Sequence, residues 1–225
     1  MVAPVLVRGC ALSDIFQEVD EDLRHDKWLR LWKQYHNYMI GLAALIIVAT
    51  AGVTYWRHHD QQQREAEGLR SALALDDARA GKLAEAADAL NSLATSAHAG
   101  RAVVARLEAA ALRARAGDEA AAITAYDAIA KDAPVDPIYR DLATVLWGLH
   151  AVETVDPQAI LDRLAPVSNP DNPWHSSAIE VTAIVHLKVG DRAAARTDYQ
   201  KLADDLTAPR GLRARAAQMV AALQS

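Results

Sequence analysis

The order of apolar and polar positions divides the chain into three stretches. From Tyr38 to Trp56, nineteen residues pass without a charge, and apart from the tyrosines at its ends the only hydroxyl side chains in the run are Thr50 and Thr54. A helix rises about 1.5 Å per residue, so the run is about 28 Å long, close to the roughly 30 Å of a bilayer's hydrocarbon core. Trp28, Trp32, Tyr35 and Tyr38 lie before or at its start, and Tyr55 and Trp56 close it. Aromatic rings so placed sit at the two headgroup layers, apolar body inward and polar edge toward water. The pattern predicts a transmembrane helix over 38–56. A buried core helix of this length would carry more polar residues on one face. Ala49-Thr50-Ala51 has the small-x-small form of a signal-peptidase site, but the preceding tail is 37 residues long and holds six acidic side chains, unlike a short basic leader.

In the tail, 1–37, Ser13 is a good N-cap, and Asp14, Glu18 and Asp20 follow where the helix dipole favours negative charge. Ile15, Val19 and Leu23 recur every four residues with Phe16 beside them, so an amphipathic helix is expected to run up to the span. Such a helix would dock a partner or orient the anchor.

Beyond the span, 57–225, the pattern repeats. Gly81, Gly117 and Gly190 each end an alanine-rich apolar stretch; they stand 36 and 73 residues apart, the second interval about twice the first. The missing turn falls near Thr154-Val155-Asp156-Pro157, a turn and helix-start signal. Ala86, Ala122, Ala159 and Ala195 sit five residues after the turns, and Leu90, Tyr126, Arg163 and Tyr199 follow four residues later. The alanine marks where two helices approach too closely for a larger side chain, and the large residue one turn on fills the gap. Arg163 breaks this pattern, so the third unit is expected to be irregular.

Asp136-Pro137, Asp156-Pro157 and Asn172-Pro173 each place a capping side chain before a proline at a first helical position. The expected helices lie near 58–80, 82–96, 100–116, 118–131, 137–152, 157–165, 173–189, 191–206 and 209–223. The fold class is therefore all-α: four hairpins and a capping helix behind the span. Composition agrees, since about a fifth of the residues are alanine against a single Phe.

Charge and chemistry narrow the function. A net charge of −5 offers no global attraction for nucleic acid. Cys10 stands alone, which excludes an internal disulfide and a cysteine-built zinc site. Arg24, Lys27, Arg30 and Lys33 before the span against Arg57, Arg64 and Arg70 after it place the tail in the cytoplasm by a small margin. His58-His59-Asp60 invites a metal, but helical neighbours point about 100° apart and do not share one ion easily. His150 and His186 have no metal-ligating partner four residues away and read as packing residues; Trp147 and Trp174 read as fillers between hairpins. Asp76-Asp77 and Asp204-Asp205 read as solvated faces, and Arg210, Arg213 and Arg215 as a helix surface. No nucleophile elbow, phosphate loop or HExxH occurs, so no enzyme, cofactor, metal or small-molecule substrate is expected.

A helix-turn-helix unit repeating at this length, with glycine at the turn, resembles the tetratricopeptide repeat (TPR). The best unit, Ala102 to Pro134, carries Gly117-Asp118, Ala122, Tyr126 and Pro134 at the family's spacings. Arg106, Ala109 and Ala110 stand where that repeat has a large aromatic and a Leu-Gly pair, so the repeats are degenerate. Pro173 to Glu180, Lys188 to Arg196, Leu202-Ala-Asp-Asp and Gly211 to Ala217 further resemble the C-terminal half of the bacterial YfgM-type family. That resemblance implies an inner-membrane protein with its N-terminus inside and a TPR-like periplasmic domain. It also implies an ancillary role at the Sec translocon, with periplasmic chaperones and client proteins as partners. The concave face of the first helices, with Leu75, Leu107, Ile184 and Leu187, is where a partner is expected to bind. The alternatives are a TPR adaptor of another envelope complex, for outer-membrane assembly or cell division, and, further off, an enzyme.

Overall fold

The computed structural model of the chain describes residues 12–224, with side chains described from Asn37 onward, Ala99 excepted. Nine α-helices and no strand occur among these residues: α1 (Leu12–Arg79), α2 (Leu83–Ser96), α3 (Ala99–Arg115), α4 (Glu119–Ala130), α5 (Pro137–Ala151), α6 (Pro157–Leu164), α7 (His175–Lys188), α8 (Arg192–Asp204) and α9 (Arg210–Gln224). The tail helix, the apolar run and the first helix of the repeat region, whose continuity the sequence left open, are one unbroken helix. The chain divides into two compact units, Met1–Gln63 and Arg64–Ser225.

In the second unit each helix from α2 to α9 packs on its sequence neighbour, and α3 also touches α5, as α5 touches α7. First helices of successive hairpins therefore adjoin, which stacks the hairpins. Three apolar cores result. Ala74 and Ala78 of α1 meet Ala86, Leu90 and Leu93 of α2 and Ala105, Ala109 and Leu112 of α3. The central core runs from Val103, Leu107 and Ala110 of α3 through Tyr126 and Ile129 to Trp147, Ile160, Leu164 and Val181. The last joins Ala183, Tyr199, Leu202, Leu212, Ala216 and Val220. Helix α3 contributes Ala105, Ala109 and Leu112 to one core and Val103, Leu107 and Ala110 to the next. It is sandwiched, so it needs two apolar faces where a surface helix needs one.

Gly81, Gly117 and Gly190 have φ of 88°, 86° and 83°. At Gly117 the Asp118 amide donates to Arg113 O (3.0 Å) and the Gly117 amide to Ala114 O (2.9 Å); the six-to-one bond recurs from Lys82 to Asp77 and from Asp191 to His186. These are glycine-closed helix ends that reverse the chain. Asp118, Asp156 and Asp191 then cap the next helix by accepting from Ala121, Ala159 and Ala194 amides at 3.1, 3.1 and 2.9 Å.

The third hairpin departs from the expected register. Ala159 is exposed, and Ile160 and Leu164 take the fully buried positions that Ala122 and Tyr126 hold in the second hairpin. The turn explains this. Without a positive-φ glycine, the chain crosses from Ala151 to Pro157 in a longer turn closed by Val155 N to Ala151 O at 2.9 Å. Counted from the residue before each second helix (Lys82, Asp118, Asp156, Asp191), the buried pair always stands four and eight residues on. The small residue has moved to the first helix: a Cβ on Gly148 would lie 3.4 Å from Leu164 and Val181 side-chain carbons. Helix α7 also begins later than expected. Asn172 caps a turn, accepting from the Trp174 amide (2.8 Å) and donating to Asp141 (2.8 Å), and the helix starts at His175.

Candidate functional site

In the first unit, the apolar side chains from Tyr38 to Trp56, including Ile40, Leu45, Val48 and Tyr55, are exposed to their surroundings. Asn37–Arg79 contains a window of mean hydropathy 1.9 with none of it buried, which makes it the one helix among the described residues long and apolar enough to cross a membrane. Thr50 Oγ1 donates to Ile46 O at 2.7 Å, so its hydroxyl is satisfied within the helix, as an apolar solvent requires. Of the expected interface aromatics, Tyr38, Tyr55 and Trp56 are exposed on this helix. Trp28, Trp32 and Tyr35 lie outside the residues whose side chains are described.

The four residues expected to face a partner do not form an open strip. Leu107 is 8% exposed and belongs to the central core, because α3 turns that face to α4 and α5. Ile184 and Leu187 are half-buried against the central and last cores, and Leu75 is half-buried on α1. An open apolar surface lies nearer the start of α3. A cleft of about 310 Å³ opens between the start of α3 and the α4–α5 connection, lined by Ala102, Val103, Arg106, Pro134, Val135 and Tyr139. Small residues at Gly100 and Ala102 keep it open. Arg106 Nη1 donates to Asp132 Oδ2 at 2.6 Å, a charged pair beside the apolar floor. Such a cleft suits an apolar side chain of a peptide with a polar flank. The sequence signal for it was weak: Pro134 closing the repeat, and valines flanking two loops.

Polar contacts within hairpins and one repeat apart tie the stack together. Glu67, buried in α1, accepts from His98 Nδ1 at 2.9 Å and pairs with Arg101 at 3.3 Å. His150 bonds Glu119 at 2.9 Å and stacks on Tyr126, ring centroids 5.5 Å apart. His186 bonds Asp198 at 2.8 Å, which Lys201 also approaches. Arg163 donates to Asp127 at 2.6 Å and lies over the Trp147 ring at 4.0 Å, so the residue that broke the repeat pattern bridges two hairpins. Trp147 fills the central core, and Trp174 Nε1 donates to Ile138 O at 2.8 Å across the hairpin boundary. Burial, and then the Glu119 charge, push the Tyr126 phenol up to about 12, which makes it a packing group at any physiological pH. Among the described residues no cluster of three or more histidine, cysteine or acidic side chains gathers where a metal would bind.

The tetratricopeptide repeat-like domain family matches residues 29–220. The chain belongs to that family. No curated protein and no solved structure matches it. TPR-like domains are typically interaction modules that present the faces of stacked hairpins to other proteins. The cleft beside α3 and α5 lies on such a face in this TPR-like chain.

Proposed function

We propose that this protein is a single-pass bacterial inner-membrane protein whose TPR-like domain gathers other proteins at the periplasmic surface. The exposed, uncharged Tyr38–Trp56 segment, in a chain that belongs to a TPR-like family, carries the reading. The tail would occupy the cytoplasm, 38–56 the bilayer, and 57–225 the periplasm. Within that role, the partners proposed are components of the Sec translocon, periplasmic chaperones and their clients. The likeness of Pro173 to Glu180 and Gly211 to Ala217 to the YfgM-type family supports this choice. Anchoring raises the local concentration of weak partners, so a shallow cleft with modest affinity suffices. Leu75, Ile184 and Leu187 keep part of their surface for the same partners.

Photocrosslinkers at Tyr139 and Val104, on and beside the cleft, test the reading in envelope membranes. Capture of Sec components or secretory proteins is expected; capture of outer-membrane assembly or division components would assign the module to a different machine. A reporter fused after Ser225 that is active only in the cytoplasm would overturn the topology and every envelope role with it.

A further inference from the structure

We propose that the segment of α1 beyond the bilayer is a parallel pairing face for a second copy of this chain. In the second unit α1 turns Glu67, Ala74 and Ala78 inward, while Leu69 and Leu73 on its other side are 63% and 56% exposed. Large apolar side chains held this open on a helix one turn apart are an unpartnered seam. Ala66, Leu69 and Leu73 stand three and four residues apart, the a-d-a spacing by which two helices wind together. The register fixes the flanks. With Leu69 at a d position, Glu65 falls at g and Arg70 at the following e. In a parallel pair, g of one helix meets e of the next heptad on the other, five residues on. Glu65 of each copy therefore meets Arg70 of the other, two opposite-charge pairs created by one symmetric contact.

Beside this seam, Arg70, Leu73, Ala89, Ser92, Leu93 and Ser96 line a groove of about 340 Å³ between α1 and α2. The α2 side of it is mostly alanine and serine, which leaves room for a neighbouring helix. The proposal rests on the membrane reading. Two copies inserted with the same polarity meet only with their α1 helices parallel. A seam of little more than one heptad, with polar Gln62 and Asp76 at the flanking d positions, is far below the roughly 1,200 Å² that holds a free dimer, so the shared bilayer must supply the proximity.

The test uses the full chain with Cys10→Ser, carrying one cysteine at Leu69, Leu73 or Arg79, oxidised in native membranes. L69C and L73C are expected to form disulfide-linked homodimers, while R79C, about a third of a turn away, stays monomeric. Glu65→Arg in the L69C chain should lower the dimer yield about three- to fivefold, and adding Arg70→Glu should restore it. Equal yields at all three positions, no dimer at any, or crosslinks from Leu69→Cys to a different protein would overturn the pairing. Release of the chain by alkaline carbonate would overturn the membrane reading itself, whereas an integral chain with flat yields overturns the dimer alone.

Discussion

Two glycines show how the same residue serves opposite physical needs. Gly117 closes a helix at φ 86°, where a side chain would crowd the following carbonyl at a cost of about 1–2 kcal/mol. Gly117→Ala is therefore expected to lower stability by that amount in detergent-solubilised protein followed by circular dichroism. Gly148 lies inside α5, where alanine is favoured by about 1 kcal/mol and the added Cβ meets Leu164 and Val181 at 3.4 Å, ordinary contact. Gly148→Ala is expected to leave stability unchanged or raise it by less than about 1 kcal/mol, and Gly148→Leu to lower it by about 1–3 kcal/mol. The turn glycines were legible in sequence because only their spacing was needed. Asp127 was not, because its partner Arg163 lies 36 residues away. Partial burial works against its carboxylate, but hydrogen bonds from Lys131 and Arg163, and their charges, outweigh that and hold it below the usual 3.8. A depressed folded value means the pair stabilises the protein above the unfolded pKa and stops doing so as pH falls through the folded one. Asp127→Asn should thus cost about 0.5–1 kcal/mol at pH 7, a difference that shrinks as melting is repeated at pH values falling progressively below the usual 3.8.

Helix identity was readable from periodicity, caps and prolines, yet one element was read one residue out of register. The spacing from glycine to alanine works only where a glycine makes the turn. In the third hairpin the dependable marker is the Asp156 cap, and counting from it gives Ile160 and Leu164, both fully buried, in place of Ala159 and Arg163. A single-residue slip on a helix rotates the choice of side chain by about 100°, enough to exchange core for surface. Two substitutions separate the registers. Ile160→Ala should cost about 2–5 kcal/mol by opening a cavity beneath α5. Ala159→Leu should stay within about 0.5 kcal/mol of the parent in the same urea titration, since its side chain projects outward. A large loss from Ala159→Leu would restore the alanine register. One residue of the expected binding strip, Leu107, is covered for a related reason. Both apolar faces of α3 are covered, Leu107 lying on the one turned to α4 and α5, and no local pattern in α3 encodes where those helices pack.

At the scale of the molecule, the stacking was legible because a repeat states its own neighbours: each hairpin buries its apolar face on the next, so a period in sequence becomes a line of cores. The cleft was not legible, since it is what remains between α3 and the α4–α5 connection after those cores close. The same reasoning separates what folds from what anchors. Every apolar residue of the three cores lies at or beyond Ala74, and the earliest buried polar group, Glu67, is held by His98 and Arg101 of the same unit. Among the residues whose side chains are described, none before Arg64 belongs to these cores. A fragment from Arg64 to Ser225 is therefore expected to be soluble and as helical as the intact domain. It should melt in a cooperative transition, although repeat stacks tolerate fraying at an end. Its exposed Leu69 and Leu73 are too few to pair without the bilayer, so sedimentation should find a monomer at micromolar concentration. A fragment that aggregates or lacks a cooperative melt would mean that the first unit supplies structure as well as position, because the cores alone would then have proved insufficient to hold the stack.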